Sequence, residues 1–223
     1  MNKELLDGWQ DSGTWISDRE IAFRFAPGTM TPSLRRKLAT ATPPVGFHVC
    51  LGAKVIHFVQ KAPSSEAAES ELITWLKSLM QDKAALDKGL VHTKPFIVRA
   101  AYGASVSAEV ALDLQRLAEF NRITPEEVVQ RHLATRYTVS FCGFQPGFAY
   151  LEPLPGSPPL LAPRHDTPRT SVPAGSVALG GDYCAVYPAT GPGGWNLIGM
   201  AHEWGREIPA WTPGLMVNFE RVP

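Results

Sequence analysis

Residues 141–223 hold 13 of the chain's 20 prolines and 12 of its 19 glycines, and no lysine follows Lys94. Proline removes a backbone donor and glycine loses the most freedom on ordering, so no long helix survives in such a segment. Between these breakers stand short runs of Phe, Tyr, Trp, Val and Leu. That pattern predicts short strands and ordered loops, a compact all-β unit and not a disordered tail.

The first ninety residues carry another pattern. Arg19 to Ala26 alternates around Ile21, Phe23 and Phe25, which is the period of a half-buried strand. Thr31-Pro32 supplies an N-cap and a proline in the first turn, opening a helix that Pro43-Pro44 closes. Val45 to Leu51 and Lys54 to Gln60 read as two strands joined tightly at Gly52-Ala53. Ser64 or Ser65 then caps a helix with Leu72, Trp75, Leu76, Leu79 and Met80 on one face. Phe96 to Tyr102 is a further strand, which either completes a split β-α-β, ferredoxin-like layer or begins the next domain. Ser107 caps a helix to about Phe120 with Val110, Leu114, Leu117 and Ala118 on its apolar face, and Thr124-Pro125-Glu126-Glu127 is a capping box for a helix ending near His132.

At 223 residues the chain is large enough for a core that needs no disulfide or metal staple. Its 21 basic and 21 acidic residues cancel, so no global field recruits nucleic acid or an anionic membrane. Cys50, Cys142 and Cys184 are odd in number and lack CxxC spacing, which argues against a disulfide framework or a zinc ribbon. The six histidines show no ligand-like grouping, so no metal site is expected. The opening residues lack the apolar stretch of a signal peptide and no run is long enough for a membrane span, so a cytoplasmic protein is expected. Phosphate-loop, GxGxxG, GxSxG and HExxH motifs are all missing, and the common nucleotide, serine-hydrolase and zinc-protease classes lose support.

Four clusters remain as candidates for chemistry. In Gly143-Phe144-Gln145-Pro146-Gly147-Phe148-Ala149-Tyr150-Leu151, Phe144, Phe148 and Tyr150 form either a buried corner or a pocket wall, with Pro146 and Gly147 shaping the turn. Pro163-Arg164-His165-Asp166-Thr167-Pro168-Arg169 could aim the Arg164 and Arg169 guanidinium forks at one anion, or leave them paired with surface acids. The glycine-dense turns around Val172-Pro173-Ala174-Gly175-Ser176-Val177 and Gly191-Pro192-Gly193-Gly194-Trp195 either expose anion-binding N–H groups or let strands cross closely, and Ser176 could donate a hydrogen bond. His132, at a helix end, is either a structural histidine or an acid–base group.

Taken in this order, the clusters from Thr124 to Trp195 resemble the family of the 5-oxoprolinase B subunit, which includes the KipI kinase inhibitor and allophanate hydrolase subunit 1 and is related to the carboxyltransferase C–D domain of urea amidolyase. The resemblance implies an α+β chain, with a ferredoxin-like α/β sandwich over residues 1–93 followed by a cyclophilin-like β-barrel over residues 94–223. It also implies C-type and A-type partner subunits of 5-oxoprolinase, ATP used by the assembled complex, and a small amide, 5-oxoproline, opened to glutamate. His132, Arg164 and Arg169 would be catalytic; Phe144, Pro146, Gly147, Phe148, Tyr150, Ser176, Gly193, Gly194 and Trp195 would line the substrate site. The alternatives are a non-catalytic regulator that binds a kinase, as KipI does, or a carboxyltransferase subunit working with a biotin-carrying partner. Relative to the family pattern, Met200-Ala201 replaces an arginine and a threonine, and Leu215 replaces an acid, so a cation is missing from the expected pocket.

Overall fold

The computed structural model describes residues 14–17, 19–24, 30–52, 55–60, 65–81, 94–204 and 210–222. Phe25, Ala26, Ala53, Lys54 and Ser64 lie outside the described residues. The chain divides into two compact units, one formed by Met1–Thr93 with Thr212–Gly214, the other by Lys94–Trp211 with Leu215–Pro223.

The first unit contains β1 (Thr14–Ser17), β2 (Glu20–Arg24), α1 (Pro32–Thr40), β3 (Phe47–Leu51), β4 (Val55–Gln60) and α2 (Glu66–Gln81). Its sheet has the order β1-β2-β4-β3, with every neighbouring pair antiparallel. β2 and β3 therefore run the same way on either side of β4, with α1 as their connection, which makes a split β-α-β. The caps act as their residue types predict: Thr31 Oγ1 accepts from the Leu34 N–H at 3.3 Å, and Ser65 Oγ accepts from that of Ala68 at 3.3 Å. Ile21, Phe23, Leu34, Leu38, Ile56, Phe58, Leu72 and Leu76 fill the core. Each such side chain removed from water contributes about 1.5–3 kcal/mol.

The ferredoxin-like expectation is not carried through. The edge beside β2 is taken by β1, which is only two residues away in sequence and pairs with little loss of chain entropy. The strand at 96–102 belongs to the second unit.

That unit contains β5 (Phe96–Tyr102), α3 (Ala108–Asn121), α4 (Pro125–Ala134), β6 (Tyr137–Cys142), β7 (Ala149–Pro153), β8 (Arg169–Val172), β9 (Ser176–Gly180), β10 (Tyr183–Val186), β11 (Gly191–Gly193), β12 (Asn196–Ala201) and β13 (Met216–Arg221). Seven strands close a barrel in the order β10-β7-β6-β13-β5-β12-β9, and β8 pairs with β11 in a separate ribbon. Closure removes the exposed sheet edges that invite aggregation. β13 pairs in parallel with β5, from Val217 opposite Phe96 to Arg221 opposite Ala100. The barrel thus spans the composition break, with β5 and the first four residues of β6 drawn from residues before it. Ser107 caps α3, and Thr124 and Glu127 form the reciprocal capping box of α4.

Candidate functional site

β6 leads into the turn at residues 143–148. Gln145 N–H donates to Gly143 O at 2.9 Å, and Phe148 N–H donates to Gln145 O at 3.0 Å. The turn uses left-handed backbone at Phe144 (φ 72°) and Gly147 (φ 80°). Such a φ is uncommon for a bulky side chain, and the surrounding bonds hold it: Trp211 Nε1 donates to Gly147 O at 3.0 Å. Behind the turn, Phe148 is only 2% exposed and meets Phe144, Tyr150, Tyr187 and Trp195 edge to face, with centroids 5.1–5.8 Å apart. Edge-to-face pairs add about 0.5–1.5 kcal/mol each beyond burial, so this aromatic cluster is a rigid wall.

Gly193 in the ribbon and Gly180 in β9 allow rings to come close. A Cβ on Gly193 would sit 2.1 Å from Tyr187 Oη, and one on Gly180 would sit 2.4 Å from Trp195 Cγ. Tyr187 and Trp195 can occupy their places only because those side chains are absent.

These groups enclose a cavity of about 300 Å³, lined by Phe144, Phe148, Tyr150, Arg164, Gly193, Gly194 and Trp195, together with His165, Pro168, Tyr187 and Pro192. Arg164 lies with its guanidinium carbon 5.5 Å from the Trp195 ring centroid, within the range of a cation–π contact. Its guanidinium has no hydrogen-bonding or ion-pairing partner among the described residues. Burial holds the Tyr187 hydroxyl above its ordinary pKa, Tyr150 pushes the same way, and Arg169 and Arg164 pull against it.

Arg169 is placed differently from the expectation. Its Nη2 lies 2.8 Å from both carboxylate oxygens of Asp113, and its Nη1 donates to Trp195 O at 3.2 Å. Asp113 projects from α3 with a side chain only 3% exposed. It also accepts from the Leu197 N–H at 2.6 Å and lies 3.0 Å from His165 Nε2. Arg116, one turn further along α3, donates to the Pro163 and Arg164 carbonyls and to Asn196 Oδ1. The segment carrying Arg164 is thereby tied to a helix on one side and to β12 on the other. Arg169 is spent on that frame, and it is Arg164 that faces the cavity.

Four other expected site residues fall elsewhere. His132 is fully buried in the barrel core, with Nε2 3.1 Å from Tyr102 Oη, Nδ1 2.9 Å from Tyr137 Oη and the Phe219 ring centroid 4.5 Å away. Burial pushes its pKa down to about 3, and it does not reach the cavity. Helix-end position suggested a protonated imidazole, but the desolvation of a closed core outweighs half a unit charge at a helix terminus. Ser176 is 1% exposed within β9 and lines no part of the cavity. Pro146 and Gly147 border an open groove on the other side of the turn, shared with Cys142 and Trp211.

Sequence patterns do not single out Asp113, His165 or Tyr187 as site residues. Asp113 leaves one signal: it is an acid among Val110, Leu114 and Leu117, on the face of α3 that turns inward. Among the described residues no three His, Cys, Asp or Glu side chains converge as a metal site requires, and no helix is long and apolar enough to cross a membrane.

The site thus consists of an aromatic cavity on a closed barrel, with the exposed Arg164 guanidinium at its wall. The chain belongs to the family of the carboxyltransferase domain, subdomains C and D, which its residues 31–206 match. It is 52% identical over 91 residues to the B subunit of 5-oxoprolinase from Haemophilus influenzae, covering 41% of this chain and 42% of that protein. Against the same-named subunit of Bacillus subtilis it is 45% identical over 91 residues, covering 41% and 37%. The matched stretch thus spans about two fifths of these curated relatives. The crystal structure of TTHA0988 superposes with a TM-score of 0.65 at 27% identity, covering 92% of this chain and 40% of that one.

Proposed function

We infer that this chain is one subunit of an ATP-dependent amidohydrolase complex that opens 5-oxoproline to glutamate, together with C-type and A-type partner subunits. The observation that carries the reading is Arg164: an exposed guanidinium over the Trp195 ring at the wall of an aromatic cavity of about 300 Å³, with no hydrogen-bonding or ion-pairing partner among the described residues. 5-Oxoproline presents a carboxylate on a small flat lactam ring. The guanidinium suits the carboxylate, and the faces of Trp195, Phe144 and Tyr150 suit the ring. The aromatic wall would cover part of the ligand, which strengthens the ionic contact and limits the orientations of the amide. ATP is required by the complex as a whole, since a resonance-stabilised lactam needs activation before it opens; in this reading the chain supplies the amide site, and the cyclophilin-like character of the barrel supplies only its frame.

The test is 5-oxoproline-dependent ATP hydrolysis by the chain co-purified with its partner subunits. Arg164→Ala removes a charge-assisted hydrogen bond worth about 1.5–3 kcal/mol and should raise the KM for 5-oxoproline roughly ten- to hundredfold. An unchanged KM would overturn the assignment of the cavity. Dependence on urea and biotin in place of 5-oxoproline would point instead to a carboxyltransferase subunit.

A further inference from the structure

The cavity wall carries a second polar group that carboxylate binding does not use. His165 follows Arg164, and its side chain is 23% exposed. Its backbone N–H donates to Gly194 O at 2.8 Å, which anchors the residue beside the ribbon. Its ring Nε2 lies 3.0 Å from Asp113 Oδ1. An ionised carboxylate only accepts, so Nε2 is the nitrogen that carries the hydrogen. In the neutral ring this leaves the lone pair on Nδ1, which has no partner among the described residues.

Asp113 cannot turn away from this task. Arg169 Nη2 lies 2.8 Å from both of its oxygens, and the Leu197 N–H holds Oδ2 at 2.6 Å. A buried, immobilised carboxylate that fixes the tautomer and tilt of an imidazole in a cavity wall is the arrangement general acid–base catalysis uses. Arg169 already balances the Asp113 charge, so the carboxylate acts on His165 mainly through orientation. The other ionisable groups nearby are Arg164 and Tyr187, which line the same cavity, Asp166, the next residue in the chain, and Arg116 on α3, which donates to the Arg164 carbonyl.

We propose that His165 is the catalytic proton-transfer residue of the cavity, acting through Nδ1 on the substrate amide, and that Asp113 is its positioning residue. The identity of the amide rests on the 5-oxoproline reading; the dyad rests on geometry alone. In the forward step water adds to the amide carbonyl carbon as one of its O–H bonds breaks; that proton moves to Nδ1 and the carbonyl π pair passes to oxygen. When the C–N bond breaks its electron pair stays on nitrogen, which takes the proton from Nδ1; the oxygen pair re-forms the carbonyl, the new carboxylic acid loses its proton to the amine, and the imidazole is neutral again.

Two measurements on the full-length chain and its complex test this. Nitrogen-15 spectra of the histidine-labelled chain at neutral pH should show His165 as the Nε2–H tautomer, and Asp113→Asn should shift the population toward Nδ1–H; an Nδ1–H ring in the unsubstituted protein would overturn the dyad. In the complex, His165→Gln should lower kcat about a hundred- to ten-thousandfold, leave the KM for 5-oxoproline within about threefold, and abolish the acid limb of the kcat profile. Asp113→Asn, which disturbs only the orientation of the ring, should lower kcat less and keep the acid limb. Retention of the unshifted limb by His165→Gln, or equal changes in kcat and KM, would reduce His165 to a structural residue and overturn the proposal. If the complex fails to act on 5-oxoproline while the Nε2–H tautomer is present, the substrate reading falls; a reversed tautomer removes the dyad whatever the complex turns over.

Discussion

His132 sits where a proton cannot follow it. Its imidazole is fully buried against the Phe219 ring and bonded at both nitrogens to tyrosine hydroxyls, and burial holds its pKa at about 3 against an ordinary 6.5. In the unfolded chain the ring takes up its proton near the ordinary value. Between those two values the unfolded state therefore binds one proton more than the folded state. Stability from this group is complete above the ordinary pKa, falls as pH drops through the window, and levels off below the folded value. At about 1.4 kcal/mol per pH unit, the loss at pH ~4.5 relative to neutrality is roughly 2–3 kcal/mol. His132→Gln isolates this effect, because the amide can bond to both tyrosines yet does not titrate. The variant should be about 1–3 kcal/mol less stable at neutral pH, through imperfect bonds in a buried site. The carboxylates titrate in both proteins and cancel in the difference. Urea unfolding followed by near-ultraviolet circular dichroism should therefore show the gap between the two proteins narrowing by roughly 2–3 kcal/mol on acidification to pH ~4.5. A gap constant over that range would refute the argument that desolvation governs this ring. A thousandfold loss of turnover in a folded His132→Gln complex would return His132 to the catalytic set.

Gly180→Ala should destabilise the chain by about 1–3 kcal/mol and weaken 5-oxoproline binding more than tenfold, since the new methyl drives into the Trp195 ring; Gly143→Ala, which meets open space, is the control for urea unfolding and calorimetric binding, and equal behaviour of the two would contradict the packing argument. Native thiol titration should label Cys50 and Cys142, the latter more slowly because burial raises its thiol pKa, while Cys184, fully buried and also raised, should react only after denaturation; labelling of Cys184 in the folded chain would contradict its place in the core.

Local backbone chemistry was the legible part of the sequence. Thr31-Pro32, Ser107 and Thr124-Pro125 open helices where the structure has them, because a cap is decided by three or four neighbouring residues. The aromatic wall and Gly193-Gly194 were also legible, since rings and breakers packed into a short stretch leave few other places for the rings to go. Long-range pairing was not. β5 joins β13 in parallel across more than a hundred residues, and no local pattern distinguishes that partner from a place in the first sheet. The site shows the same divide: Arg164 and Arg169 are equivalent by composition, yet Asp113, 56 residues before Arg169, claims one and leaves the other for the cavity.

That division also bears on the family departures. Met200 pairs with Ala101 and Ser176 in the barrel wall, and its Sδ lies 3.1 Å from where a Cβ on Gly175 would be. Ala201 is buried, and Leu215 offers its carbonyl to the Val139 N–H at 2.9 Å. None of the three lines the cavity. The arginine expected at position 200 is thus missing from the barrel wall and not from the cavity around Arg164, which corrects the inference that the pocket has lost a cation. The regulator alternative drew its motive from that loss. Asp113 holds Arg169 Nη2, the His165 ring and the Leu197 N–H at once. A buried charge is costly unless its bonds are satisfied, and these bonds tie the segment that carries His165 and Arg169 to α3 and β12.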